Sequence, residues 1–127
     1  MPAYDTILFD PPAPLTRVTL RNPASGAVWV DVPMLLDSGA DISLVPGAAV
    51  ERLGASQSRD RLYELAGFDG SISLGAPVEL ELIWLGRAYR GQYLLVDREW
   101  GILGRNILNT LTLVLAGPRL TWDVSLG

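Results

Sequence analysis

The pattern that most limits how this chain can fold occurs twice. A β-prone hairpin ends in an apolar run, the run meets a glycine loop, and the loop leads into a short helical stretch. The first copy spans Val18 to Leu53 and the second Val78 to Leu108. In the first, Arg17-Val18-Thr19-Leu20 and Ala27-Val28-Trp29-Val30-Asp31-Val32 alternate around the turn-rich Asn22-Pro23-Ala24-Ser25-Gly26, which predicts a hairpin. In the second, Pro77–Trp84 alternates, Leu85-Gly86-Arg87 turns, and Ala88–Val96 returns as the partner strand. Such a repeat would bring the loops around Gly39 and Gly104 close together in the core. The expected fold class is all-β: a closed barrel or sandwich carrying one or two short helices.

Other stretches fill in this plan. Ile7-Leu8-Phe9 predicts a short strand stopped by Asp10-Pro11-Pro12-Ala13-Pro14, because proline removes donors and restricts its predecessor. Pro33 predicts a bulge. Ile42–Val45 is short and β-like, and Pro46–Gly54 predicts a helix with Pro46 at its first position and Val50 and Leu53 facing inward. Arg61–Ala66 and Ser71–Leu74 flank Gly67-Phe68-Asp69-Gly70. Asp-Gly between β-prone runs signals a hairpin, here with a mobile tip. Leu111–Leu115 and Leu120–Val124 read as closing strands around Gly117-Pro118-Arg119.

Composition narrows the chemistry. A length of 127 residues suits one domain over 1–127, and 49% hydrophobic with 19% charged residues predicts a packed core. The net charge is −4 and no basic cluster exists, which argues against nucleic acid as a partner. Cysteine and histidine are absent and all ten basic residues are arginine. Thiolate and imidazole metal sites and His-based triads are therefore excluded, neither metal nor cofactor is expected, and acid–base work falls to carboxylates, Tyr or water. No apolar stretch approaches the roughly 20 residues that span a bilayer, so no membrane partner is expected. The opening Met1-Pro2-Ala3-Tyr4-Asp5 has no basic region, and a cytoplasmic location is the expectation.

The apolar run of the first copy ends in Met34-Leu35-Leu36-Asp37-Ser38-Gly39-Ala40-Asp41. A carboxylate at the end of a buried strand sits near low dielectric on a rigid support, where it either shifts its pKa or finds a partner. The plainer alternative is an Asp that closes a turn or caps the helix that follows. Two other motifs fail. Ile7-Leu8-Phe9-Asp10 lacks a second Asp two residues on, where Pro12 stands. Gly101-Ile102-Leu103-Gly104 lacks both the lysine of a phosphate loop and the third glycine of a dinucleotide loop.

Together, Leu35-Leu36-Asp37-Ser38-Gly39-Ala40-Asp41 and Ile102-Leu103-Gly104-Arg105-Asn106-Ile107-Leu108 resemble the retropepsin-like aspartic peptidases, the family of retroviral proteases. The order of acid loop, flap hairpin and Gly-Arg-Asn turn fits over about Val18 to Leu115. The helix after the acid loop departs from the retroviral members and looks more like cellular relatives of the DNA-damage-inducible protein group. The resemblance implies a retropepsin-like barrel and a role for each matching position. Asp37 would be the catalytic acid, Ser38 would hydrogen-bond across a symmetry axis, and Gly39 would let substrate backbone approach. Ala40 and Asp41 would bind substrate, with Asp41 accepting a backbone hydrogen bond. Arg105 would pair with Asp41, with Gly104 and Asn106 supporting the turn. Gly67, Phe68, Asp69 and Gly70 would form the flap tip over a bound peptide. Only the first copy carries the strand-end acid, since Gly104-Arg105 occupies the equivalent place in the other. A second carboxylate would come from a homodimer partner. Two readings of a different kind stand beside the peptidase: a dimer of this fold that only grips extended peptide, and a structural β-domain in which Asp37 ties a turn.

Overall fold

The computed structural model describes residues 2–57, 63–66 and 72–125, with the strands 63–66 and 72–75 known by their backbone. In chain order the strands are β1 (Tyr4–Asp5), β2 (Ala13–Arg21), β3 (Val28–Leu36), β4 (Leu44–Pro46), β5 (Tyr63–Ala66), β6 (Ile72–Gly75), β7 (Val78–Trp84), β8 (Arg87–Val96), β9 (Gly101–Leu103), β10 (Thr112–Ala116) and β11 (Thr121–Ser125). Helix α1 (Ala48–Leu53) follows β4, and α2 (Arg105–Leu108) follows β9.

Period-two patterning builds the barrel. In β7, Val78, Leu80, Leu82 and Trp84 are buried while the residues between them are not. One face of the strand therefore supplies core. Strands β2, β3, β9, β4, β8 and β7 pair in that order, and the β2–β7 pairing of Thr19–Arg21 with Glu81–Ile83 closes the ring. A ring of six strands leaves no free edge of its own. Two of its pairings are parallel, β3 with β9 and β4 with β8. Inside lie Leu20, Val32, Met34, Val45, Leu80, Leu82 and Leu103, all fully buried. Each such side chain contributes roughly 1.5–3 kcal/mol on burial. Within this core Trp84 Nε1 donates to Thr16 Oγ1 at 2.9 Å, which gives the buried indole N–H its acceptor.

The retropepsin-like barrel with its repeated hairpin–loop–helix plan is thus the observed fold, and the two hairpins β2–β3 and β7–β8 form as expected. The tight β7–β8 turn places Leu85 and Gly86 at φ +52° and +76°, the left-handed pair that a two-residue hairpin demands. Strands β5 and β6 pair antiparallel, so that hairpin also forms, while its tip, Gly67 to Gly70, lies outside the described residues.

Four local expectations are corrected. Ile7-Leu8-Phe9 is not a strand: the Asp5 carboxylate accepts from the Ile7 and Leu8 amides at 2.9 and 2.6 Å and bends the chain away. The bulge falls at Asp31 (φ +57°), where the β2–β3 register shifts, and not at Pro33, which pairs with Arg17. Pro33 can do so because a strand position whose missing N–H would point away from its partner loses no ladder bond. Pro46 ends β4 and does not open the helix. Gly47 is the N-cap and Gly54 (φ +59°) the C-cap of α1. Consequently Ala49 and Leu53, and not Val50, are the buried positions of that helix.

Gly101 is where β9 crosses closest to its neighbours. A Cβ there would strike the Leu44 carbonyl oxygen and the Met34 sulfur. Gly101→Ala is therefore expected to cost about 1–3 kcal/mol through overpacking. Gly91→Ala in β8, where a Cβ meets nothing within 4 Å, should be neutral or stabilise by up to roughly 1 kcal/mol. Urea melts of both variants test the contrast.

Candidate functional site

The site is built from the two loops of the repeat, which are hydrogen-bonded to each other. Leu36 pairs with Leu103 as the last residue of β3. The next amide, Asp37 N–H, donates to the Leu103 carbonyl at 3.0 Å. From the other side, Arg105 N–H donates to the Ala40 carbonyl at 2.8 Å. Gly104 makes this closeness feasible, because a Cβ on it would run into the Ile42 and Ala40 carbonyls. Gly104 is extended at φ −93° and ψ −175°, so space and not backbone angle is what requires glycine here.

Within the first loop, Asp37 Oδ1 accepts the Gly39 amide at 2.9 Å, and the Ala40 amide reaches the Asp37 carbonyl at 3.2 Å. The carboxylate is thereby held in one orientation, half-buried, with Ser38 and Gly39 exposed in front of it. Alternation along β3 turns Met34 and Leu36 into the core and places Leu35 on the face that Asp37 follows; its β9 partner Ile102 is half-buried likewise. Leu36, at 8% exposure, belongs to the core and not to a surface that a ligand could touch. Ile42, 38% exposed, does border a small hollow of about 150 Å³, together with Leu94, Pro77, Gln92, Ser43 and Asn106.

Arg105 buttresses the loop, but through a different atom from the one expected. Its guanidinium Nη1 donates to the Ser38 carbonyl at 2.7 Å. The ion pair with Asp41 is not formed: among the described residues the salt bridges are Arg21–Glu81 and Arg90–Glu79. The exposed Asp41 carboxylate keeps its solvation, and a planar donor fork beside an accepting carbonyl gains a charge-assisted bond without desolvating a second ion.

Ser43 is the residue the sequence reading passed over. It is 3% exposed. Its hydroxyl accepts from the Gly104 amide at 3.0 Å and donates to Asn106 Oδ1 at 2.8 Å. One side chain thus ties β4's approach to both the glycine and the Asn of the second loop. The signal was present: a lone hydroxyl at the inward position of Ile42-Ser43-Leu44-Val45 must find a buried partner.

Chemically, the loops offer one carboxylate on a rigid support. In the second loop Gly104 and Arg105 stand where a partner acid would be. Among the described residues no group of three or more Asp or Glu side chains could hold a metal ion, and no helix is long and apolar enough to cross a membrane. The flap-tip residues Gly67, Phe68, Asp69 and Gly70 lie outside the described residues.

No protein-family model matches the chain, and no curated protein does. Among solved structures, one of EIAV protease complexed with the inhibitor HBY-793 matches with a TM-score of 0.58 and 25% sequence identity, over 77% of this chain and 86% of that one. The chain is similar to a protease and shares its aspartic-protease-like fold.

The hydrogen bonds rank the supports of the site. Ser43→Ala strands a buried amide and should cost about 1–3 kcal/mol. Arg105→Ala removes one bond at an exposed side chain and should cost roughly 1 kcal/mol. Chemical denaturation of both variants checks the order; a larger loss for Arg105 would mean that its guanidinium carries the loop.

Proposed function

We propose that this chain, residues 1–127 forming one domain, is half of an aspartic-type endopeptidase completed by a second copy. What carries the reading is the Asp37 loop locked to an acid-free partner loop in a fold shared with EIAV protease. With no His, Cys or Lys in the chain, peptide hydrolysis falls to water and carboxylates. Two Asp37 side chains facing each other across a two-fold axis share one proton, because like charges at short range do not both ionise; this arrangement is general to aspartic proteases. The ionised carboxylate takes a proton from water as the water oxygen bonds to the scissile carbonyl carbon. The protonated one gives its proton to the carbonyl oxygen. Collapse of the tetrahedral species breaks the C–N bond: the leaving nitrogen takes the proton of the protonated carboxyl, and the ionised carboxylate takes one from a diol hydroxyl, which restores the singly protonated dyad.

In this reading Ser38 joins the two loops across the axis and Gly39 admits the substrate backbone. Ala40 and Asp41 bind the peptide, and Gly67, Phe68, Asp69 and Gly70 cover it. Arg105, Gly104 and Asn106 hold the loop in place. The half-buried Leu35 and Ile102, with the exposed Ile42, give the cleft aliphatic walls, so extended segments with bulky apolar side chains flanking the scissile bond are the substrate class.

Asp37→Asn should abolish cleavage of a peptide library while the melting temperature stays within a few degrees of wild type. The amide is nearly isosteric but cannot act as base. Wild-type activity should be blocked by a statine-type mimic of the tetrahedral species. Its pH profile should be bell-shaped with an acidic optimum, the two limbs belonging to the pair. A variant that still cleaves overturns the assignment. A wild-type protein that binds the statine mimic without cleaving any peptide would favour a peptide-gripping dimer of the same fold.

A further inference from the structure

We infer that the hollow bounded by the start of β3, helix α1 and the loop 97–99 is a second binding site, an exosite that holds a stretch of the polypeptide substrate carrying both an acidic and a basic side chain. This rests on the peptidase reading of Asp37 and adds a further point of substrate contact to it.

The hollow measures about 610 Å³, a size that receives a few amino-acid residues. Both of its rims hang from one atom. The Val96 carbonyl, at the end of β8, accepts the Gly47 and Arg98 amides, each at 2.9 Å. The start of α1 and the loop are thereby held at a fixed spacing by the barrel's own hydrogen bonds.

Four charged side chains line it: Arg52 from α1, and Asp97, Arg98 and Glu99 from the loop. All four are exposed. Among the described residues the ion pairs lie elsewhere, in Arg21–Glu81 and Arg90–Glu79. Charges of opposite sign thus share one hollow without neutralising each other. The two arginines are nevertheless held in place by indoles. The Arg52 guanidinium lies 4.7 Å from the centre of the Trp29 ring. That of Arg98 lies 4.8 Å from the centre of the Trp100 ring, which Phe9 in turn meets edge-on at 4.8 Å. A guanidinium over an aromatic face keeps its in-plane N–H donors free to fork onto a carboxylate. A side chain already ordered loses less entropy when it binds.

Charge decides the ligand. Two cations and two anions leave the walls with no net sign, so a uniformly charged ligand meets as much repulsion as attraction. A segment with both signs can satisfy both. Position decides its source. Gly101 and Leu103 turn into the core, so Trp100 and Ile102 fall on the opposite face of this stretch. Ile102 pairs with Leu35, two residues before Asp37. A polypeptide lying along that face toward Trp100 therefore arrives at Arg98 and the hollow. That continuity makes the occupant a length of the chain that is cut and not a separate small molecule.

The test uses Asp37→Asn protein, so that no peptide is consumed, and an end-blocked octapeptide of Glu and Arg alternating with Ala. Octapeptides in which every charge is Glu, or every charge is Arg, are the controls. Occupancy is read from the Trp29 indole N–H resonance. The mixed peptide should shift that resonance and bind about tenfold more tightly than either control. Adding Arg52→Glu should remove the preference, while adding Arg119→Ala, at an exposed arginine outside the hollow, should keep it. Circular dichroism confirms that both are folded. In the chain with Asp37 intact, attaching the mixed segment to a cleavable apolar core should lower KM, and Arg52→Glu should erase that difference. Equal binding of the three peptides, a mixed peptide that leaves Trp29 unmoved, or a KM indifferent to the added segment overturns the exosite and leaves the Asp37 reading standing. Selective binding at Trp29 in a protein whose wild type cleaves nothing upholds the hollow as a peptide site and overturns the peptidase.

Discussion

The structure depends on a reciprocal pair of backbone hydrogen bonds. Asp37 N–H binds the Leu103 carbonyl and Arg105 N–H binds the Ala40 carbonyl, so each loop of the repeat closes on the other. These bonds require the loops to touch without side chains between them, which places glycine at 104 and a small loop at 38–40. The strands feeding the loops must then run side by side and parallel, as β3 and β9 do. Parallel neighbours cannot be joined by a tight turn, so the chain between them travels around the barrel through β4, α1 and the β7–β8 hairpin. The closed ring follows from the loop contact as much as from the alternation of its strands.

That contact also explains why the acid is placed so firmly. A carboxylate on a free loop would be one more solvated surface group. Asp37 is instead fixed at both ends of its turn and by its own Oδ1 bond to Gly39, with Ser43 and Arg105 bracing the neighbouring backbone. Rigid placement of a reacting group is what lets binding geometry lower a barrier. The same pseudo-symmetry supplies Gly104 in place of a second acid. In the proposed function this loop is half of a dyad, and a second copy completes it.

Much of this was legible in the sequence because it rests on local rules. Alternation located β7 and β8, Leu85-Gly86 forced the turn, and the twofold repetition of hairpin, glycine loop and helix foretold that Gly39 and Gly104 would meet. What escaped were choices between equal local options. Asp5 captured the amides of Ile7 and Leu8, and nothing in an apolar triplet announces a neighbour's side chain. Pro46 satisfied strand and helix signals alike, and pairing with β8 decided for the strand. The sequence offered Asp41 as a partner for Arg105, and only three-dimensional placement sent the guanidinium to the Ser38 carbonyl. Ser43 was readable as an inward hydroxyl, yet its partners lie about sixty residues away in sequence.

The central claim is that two chains share one site, each giving an Asp37. The most direct test mixes wild-type protein with Asp37→Asn protein, lets subunits exchange, and measures cleavage rate against the wild-type fraction at constant total protein. If each active unit needs two intact copies, the rate follows the square of that fraction, falling to about one quarter at an equal mixture of two freely exchanging subunits. A rate that falls linearly, to about one half at the same point, would show that one chain suffices and would contradict the account.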